Sequence, residues 1–166
     1  MRTVFVATAP FSDDPVQLLR WVNTALVERA GTSYDFVTAA CVTFEPGERR
    51  MRWAYAGHPP ALRLDDGVDL AAARQGPPLG LVEDLECVEG SGLVAPGDGV
   101  LLFTDGLTEA RDHRGQLFGS DAVSNALREL RDASPATTVD TLTSKVARFC
   151  AGDLGDDLCL LAARMR

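Results

Sequence analysis

The sequence predicts an α+β fold: two mostly antiparallel sheets packed face to face, with helices outside. Three observations lead there. The helical and strand patterns come in separate runs rather than in βαβ alternation. Successive strands are joined by turn-rich connections of the hairpin kind. Several strands are apolar on both faces, which requires cover on both sides.

Taken in order, residues 12–30 read as a helix. Ser12 can cap it, Asp13 and Asp14 suit its positive end, and Pro15 fits its first turn. Leu18, Leu19, Val22, Leu26 and Ala30 form an apolar stripe that Gly31 ends. In "DFVTAACVTFEP", Phe36, Val37, Val42 and Phe44 make a strand apolar on both faces. Pro46-Gly47 turns the chain, and "RRMRWAYAGHPP" returns with Met51, Trp53 and Tyr55 on one face and Arg50 and Arg52 on the other. "ALRLDDGV" is a third short strand, "ARQGPPLGLVED" a loop, "LECVEGSGLV" a weak strand and "VLLFTDG" a strong buried one. A helix capped by Ser120 or Asp121 carries Val123, Ala126, Leu127 and Leu130. Ser134-Pro135 opens another, with Val139, Leu142, Val146 and Phe149, that Gly152 stops. "DDLCLLAARM" is a last, buried strand. No repeat or linker divides the chain, so residues 1–166 read as a single domain.

With 46% hydrophobic and 24% charged residues, the composition is that of a globular domain, and no run approaches a membrane helix. No secretory signal opens the chain, which points to the cytoplasm. A net charge of −8 argues against nucleic-acid binding, which needs phosphates neutralised by Lys and Arg. Cys41, Cys87, Cys150 and Cys159 form no C-x-x-C and stand apart from His58 and His113 in sequence, so reduced, buried cysteines fit better than zinc. Trp21, Trp53 and Tyr55 fall at core-facing positions.

Two acidic groups stand at strand ends. Asp105 follows Val100-Leu101-Leu102-Phe103-Thr104, and Asp156-Asp157 precedes Leu158-Cys159-Leu160-Leu161. If these strands are antiparallel neighbours, Asp105 and Asp156 converge at one sheet edge. Paired carboxylates repel unless a cation lies between them, and oxygen-only ligands select hard ions such as Mg²⁺ or Mn²⁺. The plainer alternative is that Asp105 only closes a turn, as Asp-Gly pairs commonly do; Asp66-Gly67 and Asp98-Gly99 also occur here. Aspartyl-phosphate chemistry of the haloacid-dehalogenase type is excluded, because Phe103 stands where its nucleophile would be.

The segments "FVTAACVTFEP", "YAGHPPALRL", "GPPLGL", "LVAPGDGVLLFTDGLTEARDHRGQLFG" and "DDLCLLAAR", in that order, resemble the bacterial SpoIIE-like phosphatases. These belong to the metal-dependent serine/threonine phosphatases, the PPM or type 2C family. The resemblance covers nearly all of residues 12–166. It implies an α-β-β-α sandwich, with two Mn²⁺ or Mg²⁺ ions between the sheets activating a water that attacks phosphoserine or phosphothreonine. It makes Asp105 and Asp156 the metal ligands, with Gly106 and Asp157 supporting them, and requires no protein nucleophile. The family's usual substrate is a phosphorylated anti-sigma-factor antagonist in bacterial signalling. His58 could be a general acid, yet its family counterpart lies in a structural strand-to-loop element; His113 reads as solvated.

The family also uses a Gly-Asp-x-x-Gly-x-Gly-like turn near the start of the domain. Asp13, Asp14, Glu28 and Asp35 are the acids before residue 36, and none is followed by Gly. The expectation is therefore an N-terminally incomplete domain with doubtful metal affinity, little or no activity, and a sheet edge open to pairing as a homodimer. Two alternatives stand beside the enzyme: a pseudophosphatase acting as a protein-binding module, and an acidic α+β domain whose Asp-Gly pairs are only turns.

Overall fold

The computed structural model describes residues 12–30, 36–45 and 47–165. Numbered in chain order, the elements are α1 (Pro15–Ala30), β1 (Ala39–Glu45), β2 (Arg50–Ala56), β3 (Leu62–Arg63), β4 (Gly90–Leu93), β5 (Gly99–Phe103), a 3-10 turn (Asp105–Leu107), α2 (Gly119–Glu129), α3 (Pro135–Phe149) and β6 (Leu160–Arg164). They fall into two units. One holds the described residues up to Pro60 together with Ala71–Val94; the other holds Ala61–Leu70 and the described residues from Ala95 on. Each unit has its own three-stranded antiparallel sheet, ordered β1-β2-β4 in the first and β3-β5-β6 in the second. The expected α+β class is what the chain folds into.

In the first unit α1 is capped two residues later than expected. Asp14, not Ser12, caps it, with Oδ1 accepting from the N–H groups of Val16 and Gln17 at 2.9 and 3.0 Å. Ser12 Oγ instead accepts from the Asp14 N–H. The reason is local: Pro15 fixes the first helical position, and the cap is the residue directly before it. Leu18, Leu19 and Val22 are buried, and Leu26 packs against the same core. That core also takes in Asn23, which the apolar period does not predict. Its Nδ2 donates to the Val82 and Glu83 carbonyls, and its Oδ1 accepts from the Gly80 N–H at 2.9 Å. Fully paired, a buried amide pins loop to helix at no unsatisfied cost.

β1 and β2 form the expected hairpin, with Ala39 opposite Ala56 and Glu45 opposite Arg50. The Pro46 half of the expected turn lies outside the described residues. Met51, Trp53 and Tyr55 are buried on one face of β2; on the other, Ala54 and Ala56 pack with Leu18, Leu19 and Val22. Arg52 shares that second face and ties the start of α1 to the sheet, reaching Glu89 at 2.5 Å, and Glu45 and Asp14 at 3.4 Å. The first strand is shorter than its apolar run. It begins at Ala39, Val37 makes only a bridge to Leu79, and Phe36 is 58% exposed.

The second unit packs Leu62, Leu64, Leu101 and Phe103 against Val123, Leu127, Leu142 and Val146 of the two helices. Ser134 caps α3 as expected, accepting from the Thr137 N–H, and the Gly152 N–H closes its far end on the Ala147 carbonyl. α2 has no side-chain cap. Ser120 and Asp121 sit inside its first turn, and the chain enters through backbone bonds from Phe118 to Ala110 and from Gly119 to Thr108. β6 pairs with β5 as expected, Phe103 opposite Leu160, but is not buried on both faces. Leu160 and Ala162 pack on the core, while Cys159 and Leu161 (54% exposed) face outward.

Three of the four cysteines are therefore buried and Cys159 is not. Burial, with Asp14 adding to it, pushes the Cys41 thiol up to about 11, and burial raises Cys87 as well. A thiol reacts through its thiolate and only where reagent reaches it. With an aromatic disulfide reagent at pH 8, the native chain is expected to show one fast thiol, lost in Cys159→Ser, and the other three only on unfolding. Two or more fast thiols in the native chain would contradict this packing.

Candidate functional site

β5 and the stretch before β6 deliver the candidate residues within the second unit. At the end of β5, the Thr104 N–H still donates to the Cys159 carbonyl at 3.1 Å. The chain then leaves the ladder in a 3-10 turn rather than a hairpin, with Leu107 N–H on the Thr104 carbonyl and Glu109 N–H on the Asp105 carbonyl. Gly106 is wedged against the facing segment. A Cβ there would stand 2.5 Å from the Asp157 carbonyl oxygen and 3.4 Å from that of Asp156. Only a residue without a side chain allows the two backbones this close. Antiparallel pairing thus brings the Asp105 turn and the Asp156-Asp157 segment together at one sheet edge.

The turn alternative can be tested against the other aspartates. Asp66 Oδ1 accepts from the Val68 N–H at 3.0 Å, and Asp98 Oδ2 from the Ala95 N–H at 2.7 Å. Asp112 Oδ1 accepts from both Arg114 and Gln116. These carboxylates close their own turns. The Arg63 guanidinium, helped by the Val68 N–H, holds the Asp66 carboxyl below its ordinary range; the Gln116 and Arg114 N–H groups do the same for Asp112. Among the described residues, nothing donates to the exposed Asp105 carboxylate, which closes no turn. Asp156 is also exposed and spends one oxygen on the Asp157 N–H at 2.7 Å. Asp157 contributes its carbonyl, which accepts from Thr104 Oγ1 at 2.7 Å, while its carboxylate faces solvent.

A cleft of about 510 Å³ opens beside this edge, lined among others by Gly106, Glu109, Arg111, His113, Asp153 and Asp156. Arg111 donates to the Gly115 carbonyl, and His113 accepts from Arg114 Nε. Sequence reasoning passed over Glu109, Arg111 and Asp153; the polar run after Asp105 was the signal for the first two, and the turn after Gly152 for the third. His113, expected to be solvated, is exposed and lies on the cleft wall. His58, in the other unit, donates from Nδ1 to the Pro59 carbonyl at 2.9 Å.

The donor chemistry of Asp105 and Asp156 suits a hard divalent cation: exposed carboxylate oxygens to which, among the described residues, no lysine or arginine is paired. Such an ion takes about six oxygens. Among the described residues, no three His, Cys, Asp or Glu side chains gather into a metal-binding group. The residues present fit one side of a divalent-metal site and do not complete it.

This architecture is that of the PP2C-type fold. It superposes on the SiaA-PP2C domain of Pseudomonas aeruginosa with a TM-score of 0.81 at 22% identity, covering 98% of this chain and 66% of that one. It also matches the Mn-presoaked phosphatase domain of SpoIIE from Bacillus subtilis, with a TM-score of 0.62 at 16% identity, over 99% of this chain and 72% of that one. Residues 1–166 match the family model of Stage II sporulation protein E, and the chain belongs to the SpoIIE family. A curated relative, the phosphoserine phosphatase RsbP of Bacillus subtilis (strain 168), is 38% identical over 100 residues, or 57% of this chain. The chain spans 25% of that relative's length.

Proposed function

We propose that residues 1–166 belong to a single metal-dependent serine/threonine phosphatase domain, to which this chain contributes the carboxylates of Asp105 and Asp156. Gly106 and Asp157 support them through the close backbone contact. The observation that carries the reading is the Asp105 carboxylate: it stands at a strand end beside Asp156, and closes no turn as Asp66, Asp98 and Asp112 do. A divalent ion held there by Asp105 and Asp156 would supply water activation and charge neutralisation for phosphoryl transfer. The name of RsbP supports phosphoserine as the substrate group; the Mn-presoaked SpoIIE neighbour and a structure of RsbX in complex with magnesium support Mn²⁺ or Mg²⁺ as the metal.

The substrate we propose is a phosphorylated regulatory protein, an anti-sigma-factor antagonist, in the cytoplasm. No helix among the described residues is long and apolar enough to cross a membrane. Two copies pairing along an open sheet edge would give a homodimer, to be read by light scattering; β1 and β6 each have one side unpaired among the described residues. Calorimetric titration with Mn²⁺ tests the metal reading: weak, saturable heat is expected. The chain by itself is expected to hydrolyse a phosphoserine peptide slowly or not at all; Mn²⁺-dependent turnover abolished by Asp105→Ala would overturn that expectation.

One observation favours a second reading. The described residues hold no complete metal-ligand group, as in a pseudophosphatase that docks a partner protein. Absence of any Mn²⁺ heat, in this chain and in a longer one carrying a Gly-Asp turn, would decide for it.

A further inference from the structure

We propose that Thr104 is the positioning residue that sets Asp105 and Asp156 in register, acting through its hydroxyl. The inference rests on the reading of those two carboxylates as metal ligands. Thr104 is the last residue before the 3-10 turn and stands at its cap position, yet its side chain makes no capping hydrogen bond there. A threonine at such a position ordinarily spends its oxygen on its own turn. Here the hydroxyl reaches across to the other strand, donating to the Asp157 carbonyl at 2.7 Å and accepting from the Cys159 N–H at 2.9 Å.

The backbone explains why a hydroxyl is needed. The Thr104 N–H makes a regular rung with the Cys159 carbonyl, so the Cys159 N–H would be expected to return the bond to the Thr104 carbonyl. That carbonyl is already committed to the Leu107 N–H, the bond that begins the turn carrying Asp105. The Cys159 N–H does not return to that carbonyl and goes to the side chain instead. Thr104 Oγ1 replaces it in the ladder and, with its proton, also takes up the Asp157 carbonyl. Asp105 follows this clasp directly, and Asp156 precedes the segment that it holds. Gly106 lets the same segment approach by lacking a Cβ. Without the hydroxyl, the Cys159 N–H and the Asp157 carbonyl lose their partner, and the separation of the two carboxylates is no longer fixed. Groups that orient metal ligands in this way typically change affinity by about 10–100-fold when removed.

The test compares Thr104→Val, which keeps shape and loses the hydroxyl, with Thr104→Ser, which keeps the hydroxyl. Binding of Mn²⁺ alone to the full chain is followed through the free-ion electron paramagnetic resonance signal, and folding through circular dichroism. Thr104→Val is expected to weaken Mn²⁺ binding about tenfold or more, and Thr104→Ser to stay within about twofold of the parent chain. Equal affinity in Thr104→Val and the parent, while Asp105→Asn loses the ion, would overturn the positioning role and leave the metal reading standing. Parent and Asp105→Asn that are indistinguishable, or a parent that binds no Mn²⁺, would overturn the metal reading and this inference with it. Should Thr104→Val fail to fold, Thr104→Cys, with its weaker donor, is expected to lose about threefold or more; parent-like binding there again overturns the proposal.

Discussion

Gly57→Val is expected to destabilise the chain by about 3 kcal/mol, lowering the melting temperature by roughly 6–12 °C for a domain of this size. Gly57 ends β2 with φ at +64°, in the left-handed region that a β-branched residue enters only under strain. A Cβ there would also lie 2.5 Å from Pro78 Cγ and 2.9 Å from the Pro78 backbone nitrogen. Neither neighbour can give. A proline ring has few conformations, and the backbone on both sides is tied, with the Gly57 N–H on the Gly76 carbonyl at 2.8 Å and the Gly76 N–H on the Tyr55 carbonyl at 2.9 Å. Gly57→Ala should cost about 2 kcal/mol through the same two terms. Gly47→Ala is the control: its Cβ would meet nothing within 4 Å and its φ is not positive, so the change should be close to neutral. Urea unfolding of the three variants reads the order directly. A Gly57→Val chain as stable as Gly47→Ala would mean that the Gly57–Pro78 contact does not exist in solution.

That contact also shows what the sequence could and could not convey. "YAGHPP" and "GPPLGL" read as family signatures without a stated role; in space, Gly57 of one seats Pro78 of the other, so the glycine is a packing requirement. Helical periods and the hairpin were legible because they depend on neighbours a few residues away. Asn23 was not, because its partners at Gly80, Val82 and Glu83 lie far along the chain and an isolated amide looks the same whether solvated or buried. The strand reading overreached at Phe36 and Leu161 for one reason. An apolar run states what a strand could bury, whereas exposure depends on what covers it. At the site, Asp66, Asp98 and Asp105 share the same Asp-Gly dipeptide, and only the destination of each carboxylate separates two turn residues from a candidate ligand. The hydroxyl of Thr104 was equally silent, since a threonine in a β-run is ordinary.

The same distinction yields the functional prediction with the largest effect. Asp105→Asn and Asp156→Asn are each expected to weaken Mn²⁺ binding by at least tenfold, because an amide offers a hard cation one neutral oxygen in place of a charged pair. The double variant should be no worse than the weaker single by more than about twofold. Two ligands of one ion act as a unit, and once either is lost the other has little left to hold, so the losses do not add. Independent ions at the two carboxylates would instead give losses that multiply, an outcome that calorimetry or the free Mn²⁺ signal would show at once. Asp98→Asn serves as the matched control, since its carboxylate closes the turn at Ala95 and should leave Mn²⁺ affinity unchanged. Without metal the ordering reverses. Removing one of two neighbouring like charges should leave the apo chain as stable as the parent or slightly more so, whereas Asp98→Asn keeps an oxygen for the Ala95 N–H but takes the charge out of that turn bond, and should cost about 0.5 kcal/mol. Opposite signs in metal binding and apo stability, for substitutions of the same residue type in the same dipeptide, are what a ligand predicts and a turn residue does not. If Asp105→Asn behaves like Asp98→Asn in both measurements, Asp105 is a turn residue and the edge it shares with Asp156 binds nothing.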